Sequence, residues 1–484
     1  MKPLKFTENY MLTKYKLLLI IIILVLILFT RFFNLEKTGV FYWDQTIDLV
    51  KIHQYFVDRT LTLVGPISED GSKVFGSLTY YMLMPFAYLW NFDTLSTTLG
   101  AAFWGGLTAI LLIVLTNLIN KKMTFLVAIL AIGWFPMVEI SRSAWNPYLI
   151  PFWITLGLIL YQKKKWFSLF LSGICFGLSI HNHYLAVFAL GFFILLNTLI
   201  SLRSKKFLLN LNLPIGFILV FLPFILFDLR HPPGLFLSRI LYFNHTNTDF
   251  SLLIFSKIWE NWQQIFFYYT QTNMLSYIVQ FLTFLLFFSD VKRKNLNLIY
   301  FLPFLFQVMM ITFISNSFNH YFLPGLVFFL VWVVSKRNFF LEKVSQLLII
   351  LLIISSILTI KSQLLIPTWA PNIKELREIT NILKMDIEQK DRRNVNIAVL
   401  GSEDNNTYGR KYRDLLLIRN VKIMTRDEYS LSDHLFVVTQ SSEKEIRLDP
   451  AFEMTRFRYG PIRDKWFVSN SDWRVYLFNR NKDK

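Results

Sequence analysis

The chain has 484 residues, of which 54% are hydrophobic and 17% aromatic, and a formal net charge of +18. That apolar share is high for a soluble protein of this size, and a single cysteine, Cys175, excludes both an intrachain disulfide framework and a cysteine metal site. In a soluble chain the positive charge would point to nucleic acid. Here the cations form short clusters between apolar runs, so membrane topology explains them and no nucleic-acid partner is expected.

In chain order, Lys2, Lys5, Lys14 and Lys16 precede an apolar run at 17–30. No small-residue cleavage site follows it, so it reads as a retained first helix rather than a signal peptide. Asp44 and Asp48 come next, then a glycine-punctuated stretch holding Gly65, Pro66, Gly71, Lys73 and Gly76, then a short apolar run at 78–90. Uncharged apolar runs recur at 97–118, 123–138, 147–160, 166–180, 184–200, 211–227, 274–289, 297–314, 321–334 and 346–360. A straight crossing needs about 20 residues, so polar flanks of the shorter runs must sit at interface depth. The runs predict about eleven spanning helices, with 78–90 too short to count.

Orientation follows from Lys and Arg in the short loops. Clusters at Lys121 and Lys122, Lys163 to Lys165, Arg203 with Lys205 and Lys206, Lys292 to Lys294, and Lys336, Arg337 and Lys343 occupy every second loop. The pattern closes if the run at 78–90 lies on or half inside the membrane. The N-terminus is then cytoplasmic and the C-terminus outside the cytoplasm, in a multi-pass inner-membrane protein surrounded by membrane lipids. The expected fold is all-α and polytopic over 1–360, with outer loops at 31–96, carrying amphipathic helices, and at 228–273. Residues 361–484 read as a small soluble α/β domain, with helices at 372–389 and 407–418 and strands at 395–400, 435–439 and 474–478.

The unusual polar residues map to one face of this topology. They are Asp44 and Asp48 after the first span, Glu139, Arg142 and Asn146 at the end of the third, His181 and His183 after the fifth, Asp228, Arg230 and His231 after the seventh, and Asn316, Asn319, His320 and Tyr321 before the tenth. Ionisable groups at membrane depth are costly and often functional. Asp44 stands four residues before Asp48, so a helix would put both carboxylates on one side, where like charges favour a base working near neutral pH. The plainer alternative is a helix N-cap. Lys73 is a phosphate ligand or a solvated loop cation. His181 and His183 are interface or substrate hydrogen-bond donors rather than a metal pair, with no third ligand in view. Arg230 and His231 bind a phosphate or snorkel at a helix end. Trp145-Asn146-Pro147 reads as a helix start. The segment from Gly401 to Asp404 matches no phosphate-binding pattern.

The order of these features resembles the GT-C membrane glycosyltransferases. That superfamily includes the protein O-mannosyltransferases and the aminoarabinose transferases of lipid A, and the likeness extends to bacterial members with no assigned acceptor. It is carried by Tyr42-Trp43-Asp44-Gln45, Leu63-Val64-Gly65-Pro66, Gly76-Ser77-Leu78-Thr79-Tyr80-Tyr81, Ala144-Trp145-Asn146-Pro147 and Asn319-His320-Tyr321-Phe322-Leu323-Pro324, over about residues 15–340. The resemblance implies an inverting transfer of a sugar from a polyprenyl-phosphate carrier to a lipid, glycan or protein hydroxyl on the outer face. Asp44 would be the base. Lys73, Arg230, His231 or His320 would stabilise the leaving phosphate, and Tyr81 and Tyr321 would join the substrate-binding set. Gln45 and Asn146 stand where many relatives are acidic, so a metal-independent reaction without a cofactor is expected in place of a two-carboxylate divalent-metal site. The competing readings are a transporter or flippase, and a polymerase or ligase, of lipid-linked glycans. A transporter needs polar residues along a full pathway, whereas here they gather at one face.

Overall fold

The computed structural model describes residues 4–67, 74–202, 204–232, 234–236, 253–314, 317–367, 370–401 and 408–481. It divides into two compact units that do not follow chain order. The first comprises Met1–Phe33, Thr62–Leu83 and Leu99–Leu364, and the second Asn34–Leu61, Met84–Thr98 and Leu365–Lys484. The C-terminal segment is therefore grouped with two stretches of the loop at 31–96, where the sequence suggested two consecutive blocks.

The first unit is a helical membrane bundle. Among the described residues, four helices are long and apolar enough to cross a bilayer: Tyr15–Phe32, Ser96–Ile119, Asn273–Lys292 and Phe339–Leu365. The bent pair Phe207–Leu219 and Leu222–Arg230, whose halves meet at 44°, brings the number to five when counted as one span. Pro223 lies in the first turn of its second half, where a missing N–H and a fixed φ interrupt the helical ladder. The helices Trp166–Asn182, Ala186–Ser201, Leu298–Ile311 and Asn319–Val334 are shorter but apolar. The apolar runs at 123–138 and 147–160 are also interrupted. Thr124–Gly133 gives way to Phe135–Glu139 at an extended Trp134, and a 3-10 turn Asn146–Leu149 leads into Ile150–Gln162. Pro136 cannot donate to the carbonyl four residues back, Ile132 O. Thr30 Oγ1 supplies a hydrogen bond there at 2.7 Å, and Arg31 adds a second.

Close backbone contact joins Trp166–Asn182 to Asn212–Leu219. A Cβ on Gly173 would lie 2.1 Å from Leu213 O, and one on Gly216 2.1 Å from Phe170 O. Small residues let membrane helices approach in this way. The core is dense with Phe, Trp and Leu, and the helix Leu323–Val334 is buried on every side.

The cationic loops converge at one end of the bundle. Asn120 Nδ2 donates to Val334 O and Lys336 O, each at 3.1 Å, which satisfies the last carbonyls of Leu323–Val334. Lys122 pairs with Glu342 at 3.5 Å, and Asn297 Nδ2 reaches Ser335 O at 3.1 Å. The fully buried Lys336 and Asp290 form an ion pair there. The short strands β1 (Val64–Ile67) and β2 (Val74–Gly76) form an antiparallel ribbon. The helix Leu78–Leu89 has twelve residues, about 18 Å, too short for a straight crossing. The helix Leu253–Thr270 was not foreseen in the loop at 228–273. It buries Trp262, Ile265, Phe266, Tyr268 and Tyr269 and exposes Phe255, Trp259 and Phe267.

The second unit holds a four-stranded sheet in the order β3-β4-β6-β5. β3 (Val395–Leu400) and β4 (His434–Thr439) are parallel. β6 (Arg474–Arg480) pairs antiparallel with β4 and with the edge strand β5 (Tyr459–Phe467). Every β3 residue is buried, as expected where both faces of a parallel pair are covered. Within the unit, the helix Trp43–Asp58 packs on Arg410–Ile418 through Thr46 Oγ1 to Asp414 Oδ2, 3.0 Å, and through Arg410 above the Trp43 ring. Arg377 of the helix Ile373–Gln389 grips Asp93 bidentately at 2.6 and 2.9 Å and Glu36 at 2.8 Å.

Candidate functional site

At the end of the bundle opposite the cationic loops, helix starts and stops bring aromatic and histidine rings together. Asn182 closes the helix Trp166–Asn182, and Asn146 opens the interrupted span that precedes it. Asn146 Nδ2 donates to Asn182 O at 2.5 Å, and Thr79 Oγ1 donates to Asn182 Oδ1 at 2.9 Å. These bonds tie three chain segments at one level, and His183 follows directly. Its ring stacks on Phe75 with centroids 4.9 Å apart and lies 5.6 Å from His320. His183 Nδ1 lies 3.4 Å from the Leu185 amide, which donates to it. His320 is buried in the 3-10 turn Asn319–Phe322, with its centroid 4.3 Å from Trp145 and 4.3 Å from Tyr321. Gln307 fixes this turn: its Nε2 donates to Tyr321 O at 2.8 Å, and its Oε1 accepts the Ala189 amide at 3.0 Å.

Other sequence candidates have different surroundings. His181 faces away from a metal-type pairing with His183. Its Nε2 donates to Val220 O in the helix break at 3.0 Å, and its ring packs on Phe224 and against Gly76, where an added Cβ would come within 2.7 Å of Nδ1. Among the described residues no group of three or more His, Cys, Asp or Glu side chains is placed to hold a metal ion. Glu139 accepts a 2.5 Å hydrogen bond from the buried Tyr268 hydroxyl. Arg142 acts as a helix cap. Its guanidinium donates to Thr30 O at 3.0 Å and Phe33 O at 2.8 Å, where the helix Leu4–Phe32 ends, and cations at such carbonyls are stabilising. Tyr81 donates to Thr62 O at 2.5 Å. Arg230 and His231 lie exposed at the end of Leu222–Arg230, with His231 stacked on Phe227. Asp228 Oδ1 receives the Leu235 and Phe236 amides at 2.7 and 2.9 Å. Lys73, Asn316, and Ser402 to Asp404 lie outside the described residues.

Asp44 and Asp48 belong to the second unit. Asp44 is in the first turn of Trp43–Asp58, and Asp48 follows one turn later on the same side, buried. The N-cap is Tyr42, whose amide donates to Gln45 Oε1, so Asp44 is not the cap. A carboxylate in the first turn is favoured by the helix dipole.

No protein-family model and no curated protein matches the sequence. Two of the solved structures that match do so almost end to end. One is ArnT from Cupriavidus metallidurans bound to undecaprenyl phosphate: TM-score 0.55, 10% identity, 97% of this chain and 99% of that one covered. The other is ArnT from the same organism in the apo state: TM-score 0.57, 10% identity, 96% and 98% covered. The chain shares the ArnT fold. At this identity the likeness concerns the fold alone.

Several residues that shape this end of the first unit were not singled out in the sequence. Tyr268 and Gln307 lie inside apolar helices, and nothing in their spacing marks them. Asn182 and Thr79 are ordinary polar residues at helix ends. Arg31 had a visible signal, a cation directly after the first apolar run, and it is fully buried against the carbonyls of Ala131 and Ile132. Chemically, the cluster offers imidazole nitrogens, a phenol and stacking faces.

Proposed function

We propose that the chain is an inverting glycosyltransferase that moves a sugar from a polyprenyl-phosphate carrier to an acceptor hydroxyl at the extracytoplasmic membrane face. The supporting observation is the whole-length fold shared with an ArnT structure that holds undecaprenyl phosphate, in a chain whose bundle end gathers His183, His320, Tyr321 and Trp145. In this reading Asp44 removes the acceptor proton. The hydroxyl oxygen forms the new bond to the anomeric carbon, the anomeric carbon–phosphate oxygen bond breaks, and the polyprenyl phosphate departs with the electron pair. Imidazole and phenol donors at His183, His320 and Tyr321 meet the charge developing on that phosphate, and donors aimed at developing charge are among the largest catalytic effects. The aromatic faces suit the sugar ring and the first isoprene units. Arg142 enters only by fixing the end of the first helix.

The test uses the purified full chain in lipid nanodiscs with radiolabelled polyprenyl-phosphate sugars and a membrane extract as acceptor. Transfer is expected with at least one donor and is lost in Asp44→Asn without loss of folded protein. Absence of turnover with every donor refutes the enzyme. Full activity of Asp44→Asn refutes the assignment of the base.

A further inference from the structure

A second feature at this end of the bundle is a groove of about 280 Å³ along the helices Leu253–Thr270 and Asn273–Lys292. Its volume is close to the lower end of small-molecule sites, roughly 300–1,000 Å³. Its lining differs from that of the histidine cluster. Amides dominate, from Gln263, Gln264, Asn273 and Gln280. Phe267 and Tyr277 add aromatic faces, and both are exposed. Among the described residues the lining includes one carboxylate, Glu260, and no Lys, Arg or His.

Two details set the groove apart from an ordinary wet surface. Gln280 and Ser276 are both buried and joined by a 3.0 Å bond, inside a helix long and apolar enough to span the membrane. Polar side chains at such positions are costly and usually functional. Gln264 couples the groove to the histidine-bearing turn: Nε2 donates to Asn319 Oδ1 at 3.1 Å, and Oε1 accepts from Ser317 Oγ at 2.9 Å. Asn319 directly precedes His320.

We propose that this groove binds a neutral sugar unit of a glycan. Amides carry both donors and acceptors, as a ring of hydroxyls requires, and aromatic faces pack against the C–H side of a sugar. The lone carboxylate adds strong acceptors and repels uronic or phosphorylated glycans. The occupant would be the acceptor glycan, an assignment that rests on the transferase reading above; the binding itself does not.

The experiment is saturation-transfer NMR on the full chain in phosphatidylcholine nanodiscs, with maltotriose and chitotriose as neutral probes and trigalacturonate as the anionic one. A neutral trisaccharide should give a signal above that of empty nanodiscs. The signal should fall at least fivefold in Gln264→Leu and in Tyr277→Ala, and persist in Asp44→Asn. Tyr277 is an exposed position, so that variant decides the matter if Gln264→Leu disturbs the Ser317–Asn319 turn. No signal with either neutral probe, a signal untouched in Tyr277→Ala, or an equal signal with trigalacturonate overturns the proposal. Glycan binding without transfer would refute the enzyme and leave the groove standing.

Discussion

Replacing Asp290 by alanine should unsettle the cationic end of the bundle more than any surface substitution. Its carboxylate and the Lys336 ammonium are both fully buried. Oδ2 also accepts from Trp332 Nε1 at 2.8 Å, Oδ1 accepts from Asn295 Nδ2 at 3.0 Å, and the ammonium sits 4.0 Å above the Trp332 ring. In Asp290→Ala the ammonium keeps only the ring face, and a buried indole N–H loses its acceptor. Leaving one partner of a buried pair uncompensated costs about 3–5 kcal/mol, roughly a thousandfold in the folding equilibrium. The apparent thermal midpoint of the full chain in detergent should fall on the order of 5–10 °C, measured as the temperature at which the monodisperse peak is half lost. Adding Lys336→Met removes the stranded charge and should recover most of the loss. Equal instability of the single and double variants, or an unchanged Asp290→Ala, would refute the argument that charge burial dominates.

Three further outcomes are expected. His320→Ala should lower single-turnover sugar transfer by about 10²–10³-fold, with His320→Gln less affected because it keeps a donor; equal rates for both variants would remove His320 from donor stabilisation. Gly216→Ala should destabilise by about 1–3 kcal/mol through its clash with Phe170 O. The control Gly106→Ala, whose nearest neighbour would be 4.0 Å away, should fold normally in the same heating assay. In the second unit burial alone would raise the Asp386 carboxyl, but hydrogen bonds from Arg392 at 2.5 Å and Lys390 at 2.6 Å hold it below its ordinary value. Its stabilising effect is therefore complete above about pH 4 and disappears as pH falls through the depressed folded value. Hydrogen exchange of β3, corrected for intrinsic rates, should show that acid loss in the wild type and a flatter profile in Asp386→Asn.

The bundle was legible because apolar length and loop charge are properties of the chain itself. Parity along the runs placed Asn146, His183 and His320 at one end, and the structure brings them together. Side-chain direction was not legible in the same way. His181 and His183 are two residues apart, yet one meets a broken helix and the other Phe75, a distinction set by neighbours. The backbone carbonyls that Arg142 meets lie more than a hundred residues away in the chain, which no spacing reveals. In the second unit β3 and β4 are mostly apolar runs and were visible. β5 was missed because Gly460, Pro461, Arg463, Asp464 and Lys465 break its pattern. Such residues are common on edge strands, which must avoid pairing with strangers. The helix Leu253–Thr270 was hidden by its polar side, which carries Lys257, Glu260, Gln263 and Gln264.

The hydrogen bond from Thr46 to Asp414 joins residues 368 positions apart. During synthesis the helix bearing Asp44 emerges early, while the surface it leans on is among the last parts to be made. Nearly every span is inserted in the interval. A nascent or prematurely terminated chain thus presents that carboxylate without its support.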